Sequence, residues 1–130
     1  MPETLSSLTG LLRPGGILCF SNMGQHSFLG WRRAHEDEGL ECGMLDHCTI
    51  ADLQKMLNPL GMAETKEELV PLAETGGRAL LQHFRAIGAH VPREGYHRLP
   101  ASALRRLIAR FDSNGGEAAY HVLYGKVRHA

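Results

Sequence analysis

The sequence lacks the features that identify membrane, secreted and disulfide-rich proteins. No apolar run among its 130 residues approaches the roughly 20 residues that span a bilayer, so no membrane-spanning helix is predicted. No basic segment followed by an apolar one opens the chain, so we expect no secretory signal and a cytoplasmic location. The three cysteines are an odd number without framework spacing, which predicts reduced thiols.

Motifs that indicate a chemistry by spacing alone are also missing. The sequence has no G-x-G-x-x-G or P-loop phosphate cradle, no H-E-x-x-H metal motif and no G-x-S-x-G nucleophile turn. Cys42, Asp46, His47 and Cys48 are potential ligands, but C-x5-C is not a usual zinc spacing. We therefore expect no metal site, and we interpret these four as residues of a loop and a helix entry.

The stretch around which the chain is organised is Leu11–Ser21, which reads LLRPGGILCFS. Pro14 and the two glycines after it end a helical apolar pattern and permit a sharp reversal of the chain. The apolar run Ile17–Phe20 has no polar alternation, which predicts a strand buried on both faces, with Cys19 as a small core residue. Helix–turn–strand units of this kind build α/β layers.

The edge beyond this strand is where we expect a binding site. Sites in α/β sheets gather beyond the carboxyl ends of the strands. Ser21 and Asn22 end the strand and His26 follows it, so these three are candidate substrate-binding residues. For His26 the alternative is a surface histidine held by a hydrogen bond.

Apolar spacing predicts the remaining elements. Thr49 with Asp52 has the pattern of a capping box, and Gly88 closes a strongly amphipathic segment that buries Ile87. A polar strand at Met62–Leu72 belongs at a sheet edge, whereas both faces of Ala118–Val127 are apolar, as in a central strand. The predicted helices are Ser27–Glu38, Thr49–Asn58, Thr75–Ile87 and Ser102–Phe111, and Ser27 is the predicted cap of the first. A loop is predicted at Ala89–Pro100.

Charge is unevenly distributed along a chain whose formal net charge is zero. Residues 1–65 carry four basic and eight acidic side chains, whereas residues 66–130 carry ten basic and six acidic ones. Between Arg78 and Arg110, seven arginines accompany a single acid, Glu94. Such a basic region could attract an acidic partner, either nucleic acid or an acidic protein. The alternative is a solvated, arginine-rich helix surface.

Several stretches together resemble one enzyme family. LLRPGGILCFSNMG resembles the turn into the fifth sheet strand of class I S-adenosylmethionine-dependent methyltransferases. LDHCTIADLQKMLNPLGM, LLQHFRAIGAHVPREG, LPASALRRLIARF and AAYHVLYGKV then resemble, in that order, the C-terminal half of the malonyl-acyl-carrier-protein O-methyltransferases of biotin synthesis. The resemblance implies an α/β fold, the C-terminal portion of a Rossmann-like sheet with a helical lid or appendage. It also implies the strand order fifth, seventh, sixth.

The resemblance also implies an activity. Members of the family transfer a methyl group from S-adenosylmethionine to the free carboxylate of malonyl-acyl carrier protein. Because the carrier is acidic and the malonyl group is an anion, the basic region fits this substrate, and arginine suits carboxylate recognition. The implied substrate or carrier contacts are Ser21, Asn22, His26, Arg93, Arg98, Arg105, Arg106 and Arg110. No catalytic residue is assigned, and nucleic acid is the less favoured partner.

The chain departs from the family where the cofactor would bind. No residue matches the glycine-rich first loop or the acidic ribose contact, so no cofactor-binding residue is assigned. We therefore expect S-adenosylmethionine in a complete enzyme but neither cofactor binding nor catalysis by these 130 residues alone. The chain is then the latter half of a longer enzyme, one part of a split enzyme, or a non-catalytic module that binds acyl carrier protein or another acidic partner.

The predicted organisation is one partial domain in three parts. Residues 1–72 form the fifth-strand unit with its helices and edge strand, residues 73–116 form a helical appendage, and residues 117–130 form the final strand. Without a strand on its other side, Ile17–Phe20 would present an apolar edge, which favours pairing with another chain. The expected partner at this edge is a separate N-terminal half or a second copy of the chain.

Overall fold

A computed structural model describes residues 1–89 and 92–130. His90 and Val91, in the predicted loop Ala89–Pro100, lie outside the described residues. None of the helices in the described ranges is long and apolar enough to cross a membrane. The elements are α1 (Pro2–Gly10), β1 (Ile17–Met23), α2 (Leu29–Asp37), α3 (Ile50–Leu57), a 3-10 turn (Asn58–Leu60), β2 (Met62–Pro71), α4 (Gly77–Ala86), α5 (Ala101–Ser113) and β3 (Ala119–Arg128).

The three strands form one sheet in the order β1-β3-β2. β1 runs antiparallel to β3, with Ile17 opposite Arg128 at one end and Met23 opposite Val122 at the other. The last strand therefore lies in the middle, between the first strand and the polar strand β2. This order confirms the predicted α/β fold, in which the last strand separates the two earlier ones.

Contacts divide the described residues into two compact units. The sheet unit contains Met1–Gln25, His47–Leu69 and His121–Ala130, and the helical unit contains His26–Asp46 and Val70–Tyr120. The predicted division at residues 72 and 116 stays a prediction.

A leucine cluster forms the core of the sheet unit. Leu5, Leu53, Leu57 and Leu123 are each 2% exposed or less, with Leu18 and Phe20 packed against them. Thr49 begins α3 with the predicted capping box, because its side chain accepts a hydrogen bond from the Asp52 amide and Asp52 accepts one from the Thr49 amide. The helix then ends where Pro59 enters a 3-10 turn, as predicted.

β1 is not covered on both faces, contrary to the prediction. Exposure alternates along the strand, because successive side chains point to opposite faces of a sheet. Leu18 and Phe20 pack on the leucine cluster, whereas Ile17 is 42% exposed. Cys19 is exposed, so its predicted place in the core was wrong. The apolar run does not indicate which face of the strand is covered. The leucine cluster packs against the face that carries Leu18 and Phe20.

The helical unit is built on packed aromatic rings. Phe28 is 1% exposed, and its ring centroid lies 4.9 Å from those of both Phe84 and Tyr120. Trp31 packs against Phe111 at 5.3 Å. The predicted cap Ser27 was wrong, because Phe28 occupies the cap position of α2 in the left-handed region at φ 56°. Burial of the Phe28 ring offsets this unfavourable backbone conformation.

The ends of α4 and α5 depend on each other. α4 starts at Gly77, two residues later than predicted, and the Gly77 amide donates to Asp112 Oδ1 at 2.7 Å. Asp112 lies in the last turn of α5, which continues past the predicted end at Phe111 to Ser113. Ile87, expected in the buried face, is 46% exposed because α4 already ends at Ala86.

Candidate functional site

The end of β1 is held by backbone pairing within the sheet unit. The Gly24 amide donates to the His121 carbonyl at 2.6 Å, and Gly24 also forms a parallel bridge with Cys48. The Gln25 amide donates to the Cys48 carbonyl at 3.1 Å. The residues just beyond the strand are therefore fixed against β3 and the entry of α3.

A buried histidine fills the space beside Gly24. His121 is 3% exposed, and its Nε2 lies 2.7 Å from Glu67 Oε2 on β2. A Cβ atom added to Gly24 would stand 2.3 Å from His121 Nδ1, so only glycine fits at this position. The His121 ring therefore packs directly against the Gly24 backbone.

Ser21 and Asn22, the two predicted site residues of β1, lie on opposite faces of the sheet. Asn22 is half-buried and its Nδ2 donates to Cys48 Sγ at 3.9 Å. Ser21 is exposed and stands opposite Tyr124 in the register. The Tyr124 hydroxyl donates to Glu68, and this hydrogen bond raises the pKa of the phenol. The period of two thus keeps the two candidates from acting on one ligand.

His26, the third candidate, is an exposed residue in the turn between β1 and α2. This turn belongs to the helical unit, whereas Ser21 and Asn22 belong to the sheet unit.

Two of the predicted arginines are held in ion pairs. Arg93 Nη2 donates to Glu41 Oε1 at 2.7 Å, and the Arg93 amide donates to the Gly43 carbonyl at 2.9 Å. Arg110 Nε and Nη2 both donate to Glu38 Oε2 at 3.2 Å. An incoming anion would therefore compete with Glu41 and Glu38 for these guanidinium groups.

The other three predicted arginines are exposed. Arg105 and Arg106 lie on the side of α5 away from its buried residue Leu107, and Arg98 lies in the segment before the helix. Arg105 Nε donates to the carbonyl of Ala101 one turn earlier at 3.4 Å, a contact that leaves its charge unneutralised. These residues, Arg98, Arg105 and Arg106, are called the arginine surface below.

A cleft of about 650 Å³ in the helical unit has the wrong charge for an anion. Its lining includes three acidic side chains and one arginine, Arg33. Asp37 within it accepts a hydrogen bond from Asn114 Nδ2 at 3.1 Å. A malonyl carboxylate would be repelled here, so the arginine surface is the better candidate for an acidic partner.

One contact in the helical unit was not predicted. His83 Nε2 lies 2.5 Å from the Tyr120 hydroxyl. These two residues have no motif spacing, so the sequence carried no signal for the contact. No group of three or more histidine, cysteine or acidic side chains that could hold a metal ion occurs within the described residues.

Comparison with known proteins gives the relatives of the chain. No protein-family profile matches it. It is 34% identical, over 128 residues, to a malonyl-acyl-carrier-protein O-methyltransferase of Magnetococcus marinus, a match that covers 96% of this chain and 47% of the relative. The chain is thus related to this methyltransferase family. The methyltransferase of the same name from Prosthecochloris aestuarii is 30% identical over 133 residues, covering 95% of this chain and 46% of the relative.

A third relative is the biotin biosynthesis bifunctional protein BioCD of Bordetella avium. It is 32% identical over 124 residues, which cover 95% of this chain and 26% of that protein. The chain therefore spans less than half the length of each of these three relatives, consistent with the predicted likeness to a C-terminal half.

Proposed function

We propose that this chain is the C-terminal part of an S-adenosylmethionine-dependent O-methyltransferase that methylates the free carboxylate of malonyl-acyl carrier protein in biotin synthesis. The observation that supports this proposal is identity of 30–34% along nearly the whole chain to two malonyl-acyl-carrier-protein O-methyltransferases. The match to a bifunctional protein of biotin biosynthesis agrees with it. We also place the protein in the cytoplasm.

The chemistry requires little acid–base work from this chain. An ionised carboxylate is already a nucleophile, so a methyl transfer depends on orientation and on exclusion of water more than on a general base. In a complete enzyme the cofactor supplies the methyl group. The role proposed for the residues described here is to bind and orient the acidic carrier and its malonyl group.

The arginine surface is the proposed contact for the carrier protein. Arg98, Arg105 and Arg106 are exposed, and a guanidinium group pairs with carboxylates through two parallel donors. Arg93 and Arg110 join this contact only by exchanging their present partners, Glu41 and Glu38. We therefore expect them to contribute less to carrier binding than the arginine surface does.

Catalysis by these residues alone is not expected. No residue of the sequence matches the cofactor-binding motifs of the family. An alternative function is a non-catalytic module that binds acyl carrier protein or another acidic partner. The exposed arginine surface favours this alternative as much as it favours the enzyme part.

The test measures binding of malonyl-acyl carrier protein to the chain at low and high salt. Removing Arg98, Arg105 and Arg106 together, each by substitution with alanine, should weaken binding at low salt about tenfold, since each exposed charge contributes about 0.5 kcal/mol. The control variant, Lys66→Ala with Lys126→Ala, removes exposed charges of the sheet unit and should bind as the parent does. Equal affinities of parent and triple variant would contradict the proposed contact.

A second assay separates the enzyme part from the binding module. The chain is mixed with the N-terminal half of the Magnetococcus marinus relative, S-adenosylmethionine and malonyl-acyl carrier protein, and methyl ester formation is followed by mass spectrometry. Ester formed only when both parts are present supports the enzyme part. Carrier binding without ester supports the module.

A further inference from the structure

A tyrosine at the start of β3 and a histidine near the end of α4 form a polar pair among aromatic rings of the helical unit. The Tyr120 hydroxyl lies 2.5 Å from Nε2 of His83, a residue in the last turn of α4. The Tyr120 ring packs on Phe28 at 4.9 Å between centroids, and Phe28 packs on Phe84 at the same distance. Phenylalanine rings offer the hydroxyl no conventional hydrogen-bond partner, so His83 is the neighbour in this group that fixes its position.

Tyr120 lies on a part of β3 that is suited to ligand binding. The pairing of β1 with β3 ends at Met23 and Val122, and Tyr120 precedes Val122 by two residues, so this part of β3 extends past the carboxyl end of β1. The Phe28 amide donates to the Ala119 carbonyl at 2.9 Å, which holds the start of β3 in place. Sites in α/β sheets gather beyond the carboxyl ends of the strands. The polar pair therefore occupies a position where a substrate is expected.

The hydrogen bonding of the pair suits a carboxylate. Both side chains are half-buried, so each keeps a part that faces solvent. Burial raises the pKa of Tyr120, so the phenol keeps its proton at neutral pH. A carboxylate only accepts hydrogen bonds, whereas a phenol hydroxyl both donates and accepts. When His83 Nε2 donates to the phenol oxygen, the phenol hydrogen is left to donate to an anion.

The charge of α4 also favours an anion at this pair. The helix carries Arg78, His83 and Arg85 and no acidic side chain. Both arginines are exposed, and positive charges around a site raise the local concentration of an anionic ligand. The cleft lined by Glu36 and Asp37, in the same unit, has the opposite charge. An acidic ligand is therefore favoured at the pair over a neutral or a cationic one.

We propose that the Tyr120 hydroxyl, positioned by His83, binds the free carboxylate of the substrate. This inference rests on the proposed function, in which that carboxylate belongs to a malonyl group. The hydroxyl holds one carboxylate oxygen and leaves the lone pairs of the other oxygen for methyl transfer. The pair orients the anion without exchanging a proton with it. Tyr120 is then a substrate contact and His83 a positioning residue.

Four variants of the full chain separate this role from a structural one. Tyr120→Phe removes the hydroxyl and keeps the ring that packs on Phe28. The matched control is Tyr124→Phe, which removes the hydroxyl that donates to Glu68 in the sheet unit. His83→Gln keeps an amide that donates to the phenol oxygen, whereas His83→Leu keeps no polar group. Urea denaturation of each variant verifies that it folds.

The first experiment uses small thioesters, so that it does not depend on the arginine surface. Malonyl-N-acetylcysteamine carries a free carboxylate and acetyl-N-acetylcysteamine does not. Titrations followed by the NMR signals of the Tyr120 and His83 rings give both dissociation constants. We expect about tenfold tighter binding of the malonyl thioester, because a hydrogen bond to a charged group contributes about that much to affinity.

The variants should change this malonyl preference in a defined order. Tyr120→Phe and His83→Leu should remove most of it, His83→Gln should restore part of it, and Tyr124→Phe should leave it as in the parent. Equal binding of the two thioesters by the parent would overturn the proposal. A preference that survives Tyr120→Phe would overturn it as well.

The second experiment compares malonyl- and acetyl-acyl carrier protein and separates this inference from the proposed function. If both carriers bind equally and both need the arginine surface, the proposed carrier contact stands and the role of Tyr120 is overturned. If neither carrier binds but the malonyl thioester still binds through Tyr120, the carboxylate site stands and the proposed carrier contact fails. A malonyl preference that Tyr120→Phe removes in both experiments supports both.

Discussion

Substituting Gly24 with alanine tests the packing at the end of β1. The new Cβ would stand 2.3 Å from His121 Nδ1 and 2.7 Å from its Cε1, well inside contact distance. His121 is 3% exposed, so the ring can move only by disturbing its bond with Glu67. Overpacking costs about 1–3 kcal/mol and the weakened, half-exposed hydrogen bond about 1 kcal/mol, so we expect a loss of about 2–4 kcal/mol.

Urea denaturation of the chain, followed by circular dichroism, measures this loss as a shift of the unfolding midpoint at constant slope. Gly10→Ala is the matched control, because a Cβ there meets no atom within 4 Å and the glycine ends α1. It should be neutral or stabilise the chain by up to about 1 kcal/mol.

The double variant of Gly24→Ala with His121→Ala tests whether a clash with the imidazole ring causes the loss of stability. If the clash with the imidazole is the cause, Gly24→Ala should cost less than about 0.5 kcal/mol once the ring is absent, so the two effects are strongly non-additive. An additive pair of effects would refute this reasoning, as would a single variant as stable as the parent.

Three further predictions concern local contacts. Thr49→Ala removes the capping box of α3 and should lower the free energy of unfolding by about 1 kcal/mol in urea titrations. Thr49→Ser keeps the capping hydroxyl and should retain most of the parent's stability. Phe28→Ala empties a fully buried position and should cost about 3–5 kcal/mol, measured in the same way, with near-wild-type stability counting against the packing. The bond with Glu68 raises the pKa of Tyr124, so its stabilisation is complete below the ordinary phenol pKa and lost as the phenol ionises. Glu68→Gln should therefore lower that pKa in an NMR titration, and an unchanged titration would contradict the contact.

Local signals predicted the parts of the fold that local interactions determine. The capping box at Thr49 needs only Asp52, three residues away, and the structure confirms it. The place of β2 at a sheet edge followed from its polar sequence and is also confirmed. The central position of β3 followed from its two apolar faces, and the resemblance to the methyltransferases implied the same order.

Predictions failed where distant residues decide the outcome. Ser27 has the chemistry of a helix cap, but burial of the Phe28 ring between Phe84 and Tyr120 moves the start of α2. Cys19 sits in an apolar run, yet strand alternation turns it away from the leucine cluster. An apolar run does not say which of its faces will be covered.

The candidate site was predictable in composition but not in geometry. The sequence identified the basic region, but only the structure divides it into arginines paired with Glu38 or Glu41 and arginines that face solvent. The contact of His83 with the Tyr120 hydroxyl joins residues 37 positions apart, and no spacing rule anticipates it.

Burial raises the pKa of the Cys42 thiol but the neighbouring His35 and Arg32 lower it overall, whereas burial and the charge of Asp52 raise the pKa of Cys48. This difference has a practical consequence for spectroscopy. One thiol belongs to the helical unit and the other to the sheet unit. In a chain with Cys19 replaced by serine, a limiting amount of dye would attach first to Cys42, the thiol with the lower pKa, and a second dye added at higher pH would attach to Cys48. One molecule would then carry a separate fluorophore in each unit. Denaturation curves recorded at the two emission wavelengths would coincide if the units melt as one cooperative block and separate if they melt in sequence.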